Sequence, residues 1–241
     1  MEKYGIACYN QMHRRRRMIR DWNFWLSIVT IVLTVVTVIT AIIAVLQTKK
    51  QIELSNKQHL FDLRIENYLV AKCLVEQYRN QKHLWEKEER NKVLFESNSI
   101  FFFLTNNNFL EEIQGITAEK AFGNPLQKNF LKKMESIKEI STKIELIFSG
   151  ENAHCLAKFV YSYQDLLHSL YQYKIILEKL QEHSDQFHVT LEDAQRKIPE
   201  QEYRDRLWKV IDDLEALYVD IDSNDVMIKL EDQIRLTTMN K

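Results

Sequence analysis

The sequence predicts an all-α protein, with a single N-terminal transmembrane helix followed by an antiparallel helical bundle. Three observations carry that expectation. The 241 residues include 4 Gly and 2 Pro, against roughly 12 % for the pair in average proteins. Sandwiches, propellers and many-stranded barrels need those residues for positive φ angles and fixed turns. An uncharged run extends from Trp22 to Leu46. Beyond it, apolar residues recur at spacings of three and four, the period of a helix with one buried face.

Residues 1–21 form a basic segment, with Lys3, Arg14, Arg15, Arg16, Arg17 and Arg20 against Glu2 and Asp21. The membrane helix is placed at 22–46. At about 1.5 Å per residue it exceeds a hydrocarbon core of about 30 Å. Trp22 and Trp25 stand at one end, where indole rings favour the headgroup region, and Arg20, Lys49 and Lys50 bracket the stretch. These five residues are the expected membrane-interface anchors. The run is far longer than the apolar region of a signal peptide and no clear A-x-A site follows it, so it reads as a retained anchor. It holds no ionisable side chain, and so no ion or proton pathway of its own.

Within the span, Ser27, Thr30, Thr34, Thr37, Ala41 and Ala44 follow one another at steps of three and four, with Thr48 continuing the row. They share one helical seam. Small residues let helices approach closely in lipid, so the seam predicts a homo-oligomer formed through the membrane helix. The competing reading is that each hydroxyl bonds its own i−4 carbonyl.

Two signals disagree on topology. Six basic residues precede the span, and Lys49, Lys50, Lys57 and Arg64 follow within about 20 residues; counted literally, this puts the large domain outside. However, Cys8, Cys73 and Cys155 are an odd, widely spaced set, and no Asn-x-Ser/Thr sequon occurs. Both features fit a reducing compartment. Translation from Met18 would leave Arg20, beside Asp21, before the span. The reading adopted is a single-pass protein of the cell (inner) membrane with a cytoplasmic C-terminal domain.

A long membrane-proximal helix is expected over 47–92, with Leu54, Phe61, Ile65, Tyr68 and Val75 on one side and the charged stretch Trp85–Arg90 at its end. Residues 93–241 then form the bundle, with 47–92 packing against it. Ile100–Leu104 reads as a core-facing helical piece closed by Asn106–Asn108, or else as an amphipathic contact with the membrane surface. Thr117 is an expected N-cap, and Gly123–Pro125 stops that element and starts a helix over 125–149 that ends at Gly150. A helix over 151–185 carries the seam Leu156, Val160, Tyr163, Leu167, Leu170, Leu177 and Leu180, interrupted by Lys174. The last region starts near Thr190, is punctuated by Pro199, and runs on through Tyr203, Leu207, Val210, Leu214, Leu217 and Ile221. A break at Asp222–Asp225 precedes a terminal helix.

No catalytic constellation emerges. Gly5, Gly115, Gly123 and Gly150 stand alone, so neither GxGxxG nor GxxxxGK[ST] can be written. The pairs Glu151/His154 and Asp165/His168 have metal-ligand spacing, but they lie about 21 Å apart on one helix and read as surface pairs. His183 and His188 point apart on a helix. Arg79 and His83 miss the spacing of helical ribonuclease toxins. Cys73 and Cys155 sit on apolar or mixed faces, where cysteine behaves as a small hydrophobe. No metal and no cofactor is expected. Residues 51–241 carry 25 basic and 32 acidic side chains, a balance opposite to that of a nucleic-acid-binding domain.

The segment Gln58-His-Leu-Phe-Asp-Leu-Arg64, followed by Tyr68 and preceded by Lys49-Lys-Gln-Ile52 directly after the span, resembles a segment of small uncharacterised bacterial membrane proteins. The resemblance implies a helical cytoplasmic domain, and some proteins of that kind accompany phage-defence systems. The basic run before the span departs from their pattern.

The functional expectation is therefore a non-enzymatic, membrane-anchored interaction or assembly protein. Its expected partners are the lipid bilayer, a second copy and a protein partner; nucleic acid is not among them. The alternatives are a single-pass sensor with an extracytoplasmic helical ligand-binding domain, or a membrane-associated toxin or defence effector.

Overall fold

The computed structural model describes the backbone of residues 2–118 and 126–239, and the side chains of residues 22–118 and 126–235. Its regular elements are all helices, with no strand among the described residues. The chain divides into two compact units, Met1–Gln58 and His59–Lys241. Helix α1, Glu2–Gln81, has residues in both. The expected Gly123–Pro125 stop lies outside the described residues.

In the first unit, α1 carries the apolar run. One helix among the described residues is long and apolar enough to cross a membrane, with an 18-residue window of mean hydropathy 2.9. Sixteen large apolar side chains between Trp22 and Leu46 are 47–68 % exposed. Residues 31, 32, 33, 35, 36, 38 and 39 are all among them, and at 100° per residue they cover about 220° of the circumference, the remaining sector being the equally exposed row of Thr30, Thr34, Thr37 and Ala41.

In the second unit α1 continues to Gln81 and ends there, short of the residue 92 that the sequence predicts. Short α2, His83–Glu86, follows, and residues 87–96 are non-helical. The helix stops there because the next apolar anchor, Trp85, must turn inward: it is 4 % exposed and packs 5.3 Å from the Tyr78 ring. Helix α3, Ser97–Leu104, buries Ile100, Phe101 and Leu104 and leaves Phe102 and Phe103 partly exposed. The Asn-rich closure works through Asn107, whose side-chain oxygen accepts from the backbone of Phe109 and Leu110 and starts α4, Glu111–Gln114. Thr117 is the last residue of a single 3₁₀ turn, Gly115–Thr117, and is buried there; the element it was expected to cap lies outside the described residues.

Helices α5, Gln127–Ile147, α6, Glu151–Phe187, α8, Glu200–Ser223, and α9, Val226–Met239, enclose the core with α3 and the Tyr68–Tyr78 stretch of α1. The longest, α6, is central and packs on α3, α5, α7, α8 and α9. Its expected seam is buried, except that Leu177 is partly covered. Lys174, which interrupts that seam, is 2 % exposed. Its ammonium donates to the Ile116 carbonyl and lies 3.0 Å from Glu178, so it is paired within the core. On α8 the buried side differs from the expected one. Trp208, Ile211 and Tyr218 join Leu207, Leu214 and Ile221, while Tyr203, Val210 and Leu217 are only partly covered.

Gly150 was expected as the residue closing α5. Instead Phe148 is extended and Gly150 precedes α6, at φ 85° and ψ −178°. That region is open essentially to glycine alone. Thr190, near which the last region was expected to start, caps α7, Leu191–Gln195, its oxygen accepting from the Asp193 backbone. Pro199 stands immediately before α8, and Asn224 and Asp225 separate α8 from α9, Asp225 with φ 50°.

Long-range polar contacts fasten α1 to the other helices of this unit. The Arg64 Nε donates to the Ile147 carbonyl at the exposed end of α5, at 2.7 Å, with its guanidinium over the Phe148 ring. Tyr68 donates to the Met227 carbonyl, and burial together with Glu231 pushes its phenol up to about 12. Tyr78 and Lys82 both donate to Glu215, at 2.8 and 2.9 Å, and Arg79 reaches Tyr218 and Asp222.

Candidate functional site

The seam expected to mediate association lies on the exposed apolar part of α1. Its hydroxyls turn inward. Ser27 donates to Asn23 O, Thr30 to Leu26 O, Thr34 to Thr30 O and Thr37 to Leu33 O, all at 2.8–2.9 Å. Each donor is therefore used within its own helix. The seam offers a partner hydroxyl lone pairs, methyl groups and the small faces of Ala41 and Ala44, all exposed. Of the expected anchors, Trp22 and Trp25 are 67 % and 63 % exposed, Lys49 and Lys50 are exposed, and the Arg20 side chain lies outside the described residues.

The histidines and cysteines of the second unit do not converge. His154 pairs with Glu145 of α5 at 2.8 Å, across the helix contact, and not with Glu151. His168 bonds Gln172 and stacks on Phe130; burial lowers its basicity, opposed by Asp165. His183 packs on Phe187, and His188 takes a left-handed conformation after α6. Arg79 is committed to α8, away from any His83 pairing. Burial pushes both the Cys73 and Cys155 thiols up, away from the thiolate form. Among the described residues no group of three or more His, Cys, Asp and Glu is placed to hold a metal.

One polar cluster escaped the sequence reading. Glu200, in the first turn of α8, is 1 % exposed. Its carboxylate accepts from Tyr173 Oη at 2.5 Å and Gln195 Nε2 at 2.9 Å, and lies 3.4 Å from Arg204 Nη1. The Tyr173 oxygen also accepts the Leu94 backbone N–H at 3.1 Å, and burial raises the phenol well above its usual range. Arg204 is 7 % exposed, and its Nε has no hydrogen-bond partner among the described residues. One and two turns further along α8, Trp208 and Asp212 receive Arg90. The guanidinium sits 5.0 Å from the indole and makes two 2.7 Å bonds to the carboxylate. One face of α8 thus fixes the non-helical segment 87–96. Beside it opens a cleft of about 660 Å³, walled by residues 91–95, α7 and the start of α8.

The i,i+4 pair Glu200/Arg204 is written in the sequence like the exposed pair Glu53/Lys57. Only its neighbours in space reveal that it is buried. Comparison with known proteins finds no matching family model, no matching curated protein and no matching solved structure.

Proposed function

We propose that the chain is a membrane-anchored helical interaction or assembly protein without a catalytic site. In this reading Trp22–Leu46 spans the cell membrane once. Residues 59–241 form an antiparallel bundle in the cytoplasm, and the anchor self-associates along the Ser27–Ala44 seam. The observation that carries the proposal is the exposed, uncharged surface on every side of α1 between Trp22 and Leu46, large apolar side chains over most of the circumference and the Ser/Thr/Ala seam over the rest. Burying a large apolar side chain contributes about 1.5–3 kcal/mol; for sixteen that are half-covered by their own helix, the gain is on the order of 10–25 kcal/mol. A partner helix covers one stripe, whereas hydrocarbon covers the whole circumference. Antiparallel neighbours are supported by the short connections between α5 and α6 and between α8 and α9.

Since the seam hydroxyls are already bonded within the helix, association would rest on close packing of small side chains. Alkaline extraction of membranes tests the anchor: the full chain stays with the pellet, and release into the supernatant would overturn the proposal. A second reading, an extracytoplasmic sensor domain, draws on the six basic residues before the span against four after it. Protease added to intact spheroplasts separates the two, since only the sensor orientation exposes residues 59–241.

A further inference from the structure

We propose that the cleft between residues 91–95, α7 and the first turn of α8 binds a small organic anion, a carboxylate or phosphate joined to an apolar group, with Arg204 as its principal cation. The inference is independent of the anchor reading.

Hydrogen-bond capacity in the cleft is unbalanced. The Glu200 carboxylate is already used by Tyr173, Gln195 and Arg204, which leaves it little to offer a ligand. Arg204 has five N–H donors, yet its contact with Glu200 is a long one at 3.4 Å and its Nε is unpartnered. A guanidinium so incompletely matched is costly; its Nε is itself covered, so an acceptor in the cleft meets it through the terminal nitrogens. The start of α8 adds donors of the same kind. Pro199 supplies no side-chain cap, the Glu200 N–H is taken by Ile198 O, and the next backbone N–H groups of the first turn have no cap among the described residues. A 24-residue helix with an uncapped N-terminus beside a buried guanidinium is a fixed receptor for an oxyanion.

The rim agrees in sign. Lys92 and Arg196 line the cleft, held only in exposed pairs with Glu89 and Asp193. Such pairs contribute little and can be redirected. Glu192 at the rim opposes them and disfavours highly charged ligands. Phe95, 61 % exposed, and Leu191 supply an apolar wall. The volume matches sites for small organic molecules and is larger than a bare oxyanion needs.

The test is calorimetric titration of the full chain in detergent with phenyl phosphate and benzoate. Inorganic phosphate and acetate serve as head-group arms, and benzyl alcohol as the uncharged one. The expected result is saturable one-to-one binding of phenyl phosphate or benzoate, about tenfold or more tighter than benzyl alcohol. Preference between the first two identifies phosphate or carboxylate as the head group. Arg204→Gln alone leaves Glu200 short of its cation, so the paired variant Glu200→Gln/Arg204→Gln is used, and it should abolish the preference for anions. Lys92→Ala/Arg196→Ala alters exposed side chains only, and should weaken binding severalfold at low salt. Equal binding of benzyl alcohol, no saturation by either anion up to about 10 mM, or unchanged anion binding in both variants would overturn the proposal.

Discussion

Two buried tyrosines on α6, two residues apart, should respond in opposite ways to the same deletion. Tyr173 is fully covered, and its hydroxyl performs two tasks, donating to Glu200 at 2.5 Å and accepting the Leu94 N–H at 3.1 Å. Tyr173→Phe leaves a buried carboxylate short of one donor and a backbone N–H without an acceptor. Each orphaned group costs about 1–3 kcal/mol, so the variant should lose about 2–4 kcal/mol once partial relaxation is allowed. For a unit of this size that corresponds to a fall in Tm of roughly 5–15 °C. Tyr171 is also covered, at 5 % exposure, and packs its ring 4.6 Å from Phe130, but its hydroxyl has no partner among the described residues. Tyr171→Phe keeps the ring contact and removes an unsatisfied group, so stability should hold or rise. Thermal unfolding of the full chain in detergent, followed by circular dichroism, measures both. Hydrogen exchange at Leu94 should speed up in Tyr173→Phe alone. Equal losses in the two variants, or a Tyr173→Phe loss below about 0.5 kcal/mol, would refute the assignment of Tyr173 as the pin for segment 87–96.

Gly150→Ala should cost about 1–3 kcal/mol by denaturant titration; its added Cβ meets nothing within 4 Å, so the whole loss would come from the positive φ. Lowering the pH should destabilise the second unit through His168. Burial depresses its folded pKa, so the unfolded chain binds the proton more readily. The stability contribution is present above the unfolded value of about 6.5 and is lost as pH falls from there through the lowered folded value. His168→Gln should flatten that part of the stability–pH curve. Thr34→Leu/Thr37→Leu should weaken self-association in a membrane two-hybrid assay by on the order of 1 kcal/mol, about fivefold; an unchanged signal would remove the seam from the account.

Features governed by composition or local spacing could be read directly. The apolar run needs only its length and lack of charge, and Thr190 and the Asp222–Asp225 break follow from side chains that bond their own backbone. The end of α1 could not be read, because charged residues 86–90 suit a helix as well as a loop. What bends the chain there is tertiary: Trp85 buried against Tyr78, and Arg90 held by Asp212, 122 positions away. The α8 seam was displaced because Leu and Val at 207, 210, 214 and 217 form a plausible stripe. The core instead takes the aromatic Trp208 and Tyr218, whose larger area contributes more on burial. Gly150 announces a special backbone angle, but its letter does not say which of two adjoining helices uses it. The Glu200/Arg204 cluster is the least legible part. Its members come from segments around 94, 173, 195 and 200, and an i,i+4 acid–base pair on a helix is ordinarily solvated.

Where residues 22–46 reside, and which side of the membrane the C-terminal unit faces, decide between the anchored and the soluble chain and between the two orientations. The most direct measurement is protease digestion of sealed membrane vesicles carrying the full chain with a C-terminal epitope, in both orientations. An anchored chain with a cytoplasmic C-terminal unit is recovered with the membrane, and its epitope survives in right-side-out vesicles and is destroyed in inside-out ones. An epitope destroyed in right-side-out vesicles, or a chain recovered in the soluble fraction, would contradict that placement.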